Sequence, residues 1–134
     1  MSQAPKRAPA NAPHKRLSNA IAELHRALLT VQSSGHPAQS NPYALLQAVM
    51  HDPAFAWLKA LTDLILRIDE AGAKGATPSP EAMKGFVAEA AAMVEGHDSA
   101  PEGFFPALRL HLLRPDVAGP YGRLRALVKE LQAA

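Results

Sequence analysis

The 134-residue chain contains no cysteine. This absence excludes disulfides, thiolate metal sites and cysteine nucleophiles, and it is typical of proteins in the reducing cytoplasm. Aromatic residues are scarce, at 5% of the chain, and there is one tryptophan. No apolar run reaches the roughly 18 residues of a membrane span, and the stretch 60–68 is interrupted by Asp63 and Arg67. No apolar segment follows Lys6 and Arg7. We therefore expect no signal peptide, no membrane contact and a cytoplasmic location.

Charged residues of both signs are present, but they are unevenly distributed. Residues 1–16 hold four bases and no acid, residues 17–108 hold five bases and ten acids, and residues 109–134 hold five bases and two acids. The body of the sequence does not have the basic surface expected of a nucleic-acid-binding protein. Segregated charge instead favours docking between complementary surfaces.

Most of the chain has the periodicity of amphipathic helices. Residues 1–13 are rich in alanine and proline and carry two bases, which predicts a disordered basic tail. Residues 14–134 are predicted to form a single helical domain, because apolar residues recur every three or four positions and Asn-Pro, Asp-Pro and Ser-Pro pairs mark helix starts. The expected helices span about 14–33, 42–51, 53–71, 80–95, 104–114 and 119–132. The predicted fold class is all-α, a compact bundle of five to six helices.

The apolar residues of the second and third predicted helices indicate which side of each helix is buried. In the second helix we expect the apolar residues to point inward, namely Tyr43, Leu46, Val49 and Met50. In the third helix Trp57 lies in the middle of the apolar stripe, so we expect it to be buried. Trp57→Ala should then lower the free energy of unfolding by about 3–5 kcal/mol. Phe55 points away from the Trp57 side of that helix. We expect the third helix to be central to the bundle, as it is if both side chains are buried, whereas an exposed Phe55 would belong to an interface.

No motif for catalysis, metal binding or nucleotide binding is present. The six histidines include no pair at the i, i+3 or i, i+4 spacing of helical metal ligands. The glycines form no phosphate-binding loop, and no serine lies in a nucleophile elbow. The sequence therefore predicts no cofactor and favours a non-enzymatic protein. An enzyme would need a site of histidines or carboxylates that only the fold brings together.

Three segments resemble a known group of proteins. They are 24–29 (LHRALL), 52–58 (DPAFAWL) and 64–70 (LILRIDE). Together they resemble small uncharacterised helical proteins of Gram-negative bacteria, which share an LHxxLL stretch, a DPxFxWL stretch and an IDE end. The resemblance covers about residues 17–70 and implies a bacterial cytoplasmic helical protein without a known activity. The matching positions include His25, Asp52, Phe55, Trp57, Asp69 and Glu70.

These observations predict an interaction or regulatory bundle that binds a protein partner or itself, as a dimer or other homo-oligomer. Leu66 and Leu110 lie off the main apolar stripes of their helices, so they join Phe55 as the candidate interaction residues.

Two alternatives are open. The first is a bundle that binds a small molecule or a metal in a pocket near Trp57 and His25, with His111 as a third candidate ligand-binding residue. The second is a nucleic-acid-binding regulator. The few bases of the third helix, Lys59 and Arg67, weigh against it, because a recognition helix needs basic and amide side chains facing outward.

Overall fold

All regular structure in the described part of the chain is helical. The computed structural model describes residues 12–34, 41–51 and 53–133. The helices are α1 (Pro13–Ser33), α2 (Pro42–His51), α3 (Pro53–Ala56), α4 (Lys59–Ala71), α5 (Pro80–Glu95), α6 (Phe104–Arg109) and α7 (Pro115–Ala133), with a 3₁₀ turn at Ala73–Gly75. The prediction of an all-α bundle is confirmed. Of the predicted tail, residues 1–11 lie outside the described residues, and Pro13 already begins α1.

Helix α1 provides the shared wall of the bundle. Its apolar stripe of Leu17, Ile21, Leu24 and Leu28 is fully buried, and burial of each such side chain stabilises the fold by about 1.5–3 kcal/mol. Helix α1 contacts α3, α4 and α7. The expectation that the third predicted helix is central is therefore wrong. That helix exposes Asp63 and Leu66 on its outer side, whereas α1 has 21 residues and is long enough to contact both of its neighbours.

Two arginine–glutamate pairs fix α1 against α7. The guanidinium of Arg16 donates to both carboxylate oxygens of Glu130, at 2.7 and 3.0 Å. Seven residues later, Glu23 accepts from Arg123 Nε at 2.7 Å. Seven residues are about two turns, so both pairs lie on one side of α1. The two helices run antiparallel, since the residue numbers on α7 fall as those on α1 rise.

A second pair of contacts fixes α1 against α4. Ser18 Oγ donates to Asp69 Oδ1 at 2.6 Å, and His25 Nε2 lies 3.2 Å from Thr62 Oγ1. These contacts are again seven residues apart on both helices and run in opposite directions. Helix α4 is therefore antiparallel to α1, and these four side chains satisfy one another across the interface.

Helix α5 completes a four-helix arrangement with α1, α4 and α7. Arg67 on α4 donates to both carboxylate oxygens of Glu89 at 2.8 and 2.6 Å. Tyr121 on α7 donates its hydroxyl to the carbonyl oxygen of Val94 at 2.6 Å, near the end of α5. Residues 90–94 are all buried, because three of them are alanines that let α4, α6 and α7 approach closely. Helices α2, α3 and α6 lie in the connections.

Several helix boundaries differ from the predicted ones. The predicted helix 53–71 is divided into α3 and α4 by a tightened turn, in which Leu58 N donates to Phe55 O at 3.1 Å. The predicted helix 104–114 ends at Arg109 and continues as turns. Helix α7 begins at Pro115 rather than near 119, because a proline suits the first helical position.

The predicted capping residues are observed at two helix starts. Asn41 Oδ1 accepts from the backbone N–H groups of Tyr43 and Ala44 at 3.0 and 3.2 Å. Ser79 Oγ accepts from Ala82 N at 3.1 Å. These acceptors satisfy backbone donors that have no partner within the helix. The third predicted cap, Asp52, lies outside the described residues.

Two glycines give opposite predictions for stability. A Cβ added at Gly85 in α5 meets no described atom within 4 Å, so we expect Gly85→Ala to stabilise the protein by about 0.5–1 kcal/mol. A Cβ at Gly72 would lie 2.7 Å from the buried ring of His14, so we expect Gly72→Ala to destabilise it by about 1–3 kcal/mol. Urea unfolding measures both, and equal effects of the two variants would contradict this packing.

Candidate functional site

Helix α2 turns an apolar face to solvent. Tyr43 is 71% exposed, Met50 is 64% exposed, and Leu46 between them is also exposed. Their spacing of three and four residues places all three side chains on one face. Leu45 and Ala48 pack toward the core instead. The prediction that Tyr43, Leu46 and Met50 point inward is wrong, because α2 carries apolar residues on both sides and its periodicity cannot select the buried one. The side chain of Val49 lies outside the described part.

An open groove of about 450 Å³ lies beside this face. We call it the α2–α4 groove. It is lined by His25, Met50, His51, Phe55, Ala56, Leu58, Lys59, Thr62, Asp63 and Leu66. The buried side chains of Phe55 and Leu58 form its floor, whereas Met50 and Leu66 are exposed at its rims. The groove is therefore a concave apolar surface that adjoins the exposed face of α2.

His25 is the half-buried titratable group of the groove. It lies on α1, and its Nε2 is 3.2 Å from the Thr62 hydroxyl of α4. Burial lowers the pKa of His25 below the usual histidine value, and the positive charge of Arg26 lowers it further. The neutral imidazole is thus favoured, and this form can either accept from or donate to Thr62 according to its tautomer.

Trp57 lies in a different environment from His25. Its ring is stacked on that of His111, with centroids 6.0 Å apart and an interplanar angle of 17°. Its other ring contact is Phe104, at 5.5 Å and 53°. Trp57 Nε1 donates to Gln32 Oε1 at 3.4 Å. Trp57 is half-buried, so the expectation of a fully buried tryptophan is wrong. The stack with His111 and the bond to Gln32 keep its indole at the edge of the core.

The predicted site residues fall into separate places. His25 lines the groove, but Trp57 and His111 contact each other instead. Of these three residues, only His25 is among the lining residues of the α2–α4 groove. Phe55 belongs to the buried floor of the groove, so its predicted role as an exposed interaction residue is wrong. It is buried because it faces the inside of the bundle from the short helix α3.

Two predicted interaction residues are exposed, as that role requires. Leu66 is 59% exposed at the rim of the groove, and Leu110 is 81% exposed in the turn after α6. Sequence reasoning missed Leu113, which is 97% exposed. A signal for it existed, since the segment 109–114 (RLHLLR) contains more leucines than one side of a short helix can bury.

Three arginines of the bundle pair with carboxylates across helix interfaces. Arg16, Arg67 and Arg123 each pair with a glutamate on a neighbouring helix. The paired glutamates offset the positive charge that a phosphate backbone would need. The hypothesis of a nucleic-acid-binding regulator gains no support from these contacts.

The described residues contain no group of three or more histidine and acidic side chains placed to hold a metal ion. None of their helices is both long and apolar enough to cross a bilayer. Comparisons of the chain with family models, with curated proteins and with solved structures found no match. A functional assignment therefore rests on the surface and the groove.

We expect His25 to make stability depend on pH. The pKa of His25 is lowered in the folded protein. The contribution of the neutral His25 ring to the free energy of unfolding is therefore fully present above the ordinary histidine pKa of about 6.5, and it is lost as the pH falls through the pKa of His25 in the folded protein. His25→Gln should lose less free energy of unfolding than the wild type between about pH 7.5 and 5. Urea unfolding across this window measures the difference. Parallel curves for the two proteins would contradict the lowered pKa.

Truncation should distinguish the two aromatic side chains of the predicted third helix. Phe55 is fully buried, so we expect Phe55→Ala to cost about 3–5 kcal/mol of unfolding free energy. Trp57 is half-buried, and we expect Trp57→Ala to cost less, about 2 kcal/mol. Chemical unfolding followed by circular dichroism measures both. A larger loss for Trp57→Ala would place the tryptophan in the core.

Proposed function

We propose that this protein is a non-enzymatic interaction module that associates with itself through its apolar groove face. The observation that carries the proposal is the exposure of Met50 and Leu66 at the rims of one concave apolar surface, next to the exposed face of α2 that carries Tyr43. Large apolar side chains that cluster on a surface mark sites of association more often than isolated ones do. The absence of a cysteine and the resemblance of residues 17–70 favour a cytoplasmic location in a Gram-negative bacterium.

The chemistry of the groove favours a protein surface as its occupant. Its floor and rims are mainly apolar, and its charged side chains, Lys59 and Asp63, have opposite signs. Such a surface can bury apolar side chains of a partner at its centre. Lys59 and Asp63 can each pair with an oppositely charged side chain of that partner. A second copy of the chain satisfies both requirements, because its acidic and basic residues are concentrated in different segments.

Sedimentation velocity tests the self-association directly. We expect the mass of the wild type to rise above the 14.3 kDa of one chain as its concentration increases from about 1 to 300 µM, the range of a moderate affinity. Leu66→Glu places a charge at the groove rim, so it should shift this rise to at least tenfold higher concentration. A wild type that remains at one chain throughout would contradict self-association.

The matched control for Leu66→Glu is Ala126→Glu. Ala126 is exposed on α7, and α7 lies across the bundle from α4, since both helices pack against α1 and α5. The control adds the same charge on the opposite side and should associate like the wild type. Thermal unfolding of both variants verifies that each is folded.

A second candidate function is the binding of a small molecule in the same groove. The observation that favours it is the His25–Thr62 pair on the groove wall, since small-molecule sites combine an apolar lining with a few polar groups in a volume of about 300–1,000 Å³. Native mass spectrometry separates the candidates. A single chain with a bound small molecule that Leu66→Glu releases would favour this second function, whereas complexes of bare chains would favour the first.

A further inference from the structure

The turn between α6 and α7 displays two leucines to solvent. We call residues 109–114 the leucine turn. Leu110 and Leu113 are 81% and 97% exposed, whereas Leu112 packs against the core and anchors the segment. Backbone bonds from His111 N to Leu108 O at 2.9 Å and from Arg114 N to His111 O at 3.1 Å fold it tightly. The turn therefore presents two exposed leucines on a backbone that is already folded, so it would lose little conformational freedom on binding.

The α2–α4 groove is the complementary concave surface on the same chain. Its floor is apolar and its rims carry the exposed side chains of Met50 and Leu66. The leucine turn does not occupy the groove of its own chain, because Leu110 and Leu113 are exposed. Leucines from a second copy that entered the groove would be removed from water together with these rims.

Charge favours the same pairing. Arg109 is exposed and forms no salt bridge with the described residues. Asp63 beside the groove is also exposed and forms no salt bridge with them, but the positive charge of Arg67, one turn further along α4, already attracts it. Lys59 also lines the groove. An approaching arginine is therefore attracted by Asp63 and repelled by Lys59. Residues 17–108 hold five bases and ten acids, whereas residues 109–134 hold five bases and two acids. The two segments therefore have opposite net charges, and the attraction between them favours the same pairing over longer distances.

We infer that the leucine turn of one copy docks into the α2–α4 groove of a second copy. This inference rests on the proposed self-association and names its occupant. Because the two surfaces differ, each contact leaves one groove and one turn free. Association is then head-to-tail and continues beyond two chains unless the geometry closes a ring.

A mixing experiment with two single variants tests this arrangement. Leu66→Glu impairs the groove but keeps the turn, and Leu113→Glu impairs the turn but keeps the groove. Both sites are exposed, so both variants should fold, as circular dichroism would verify. In sedimentation velocity each variant alone should remain a single chain at concentrations where the wild type associates, whether as open head-to-tail species or as a closed ring of two or more chains. An equimolar mixture should form a complex of two chains and nothing larger, because only one intact groove and one intact turn can meet.

The other outcomes overturn the inference in distinguishable ways. If Leu66→Glu dissociates the protein and Leu113→Glu does not, the groove binds another surface, and the proposed self-association stands without the leucine turn. If both variants remain single chains and their mixture does too, the two surfaces do not bind each other. If the wild type itself remains a single chain, both this inference and the proposed function fail. Ala126→Glu, which touches neither surface, should associate like the wild type.

Discussion

The register of α1 against α4 and α7 is the constraint on which the other features depend. The buried stripe from Leu17 to Leu28 supplies the driving force, but apolar burial has no direction and does not by itself fix how far one helix slides along another. The Ser18–Asp69 and His25–Thr62 contacts fix α4, and two arginine–glutamate pairs fix α7. The groove exists because this register places His25 of α1 beside the start of α4.

One apolar face of α2 is not covered by the described part of the bundle. Helix α2 has apolar residues on two sides, and the core accepts only the side of Leu45 and Ala48. Tyr43 and Met50 are left in water, although α2 is too short to be stable without packing. Covering the second face would stabilise α2 and bury apolar surface in one step. A partner that covers this face would therefore stabilise α2 more directly than the helices that are already packed on both sides.

The sequence allowed the fold class, the all-α content and the ends of α5 to be predicted, because capping side chains and apolar spacing are local signals. The orientation of α2 and the central role of α1 could not be predicted, since both depend on which helices meet. His25, Leu66 and Leu110 were predicted from their positions at the edges of apolar stripes, and the structure places His25 half-buried and the two leucines exposed. The burial of Phe55 and the contact of Trp57 with His111 depend on the tightened turn at Leu58, which no local pattern indicates.

The contacts between α1 and α7 also bring the two ends of the folded domain together. Arg16 lies in the first turn of α1 and Glu130 in the last turns of α7, and Pro13, Leu131 and Gln132 line one common surface depression. A short peptide could therefore join residue 133 to residue 12 without crossing the bundle. New ends could be opened in the exposed connection around Ala76–Thr77, because no helix has to be cut there. The domain is thus suited to circular permutation, with its order of helices changed and its core retained.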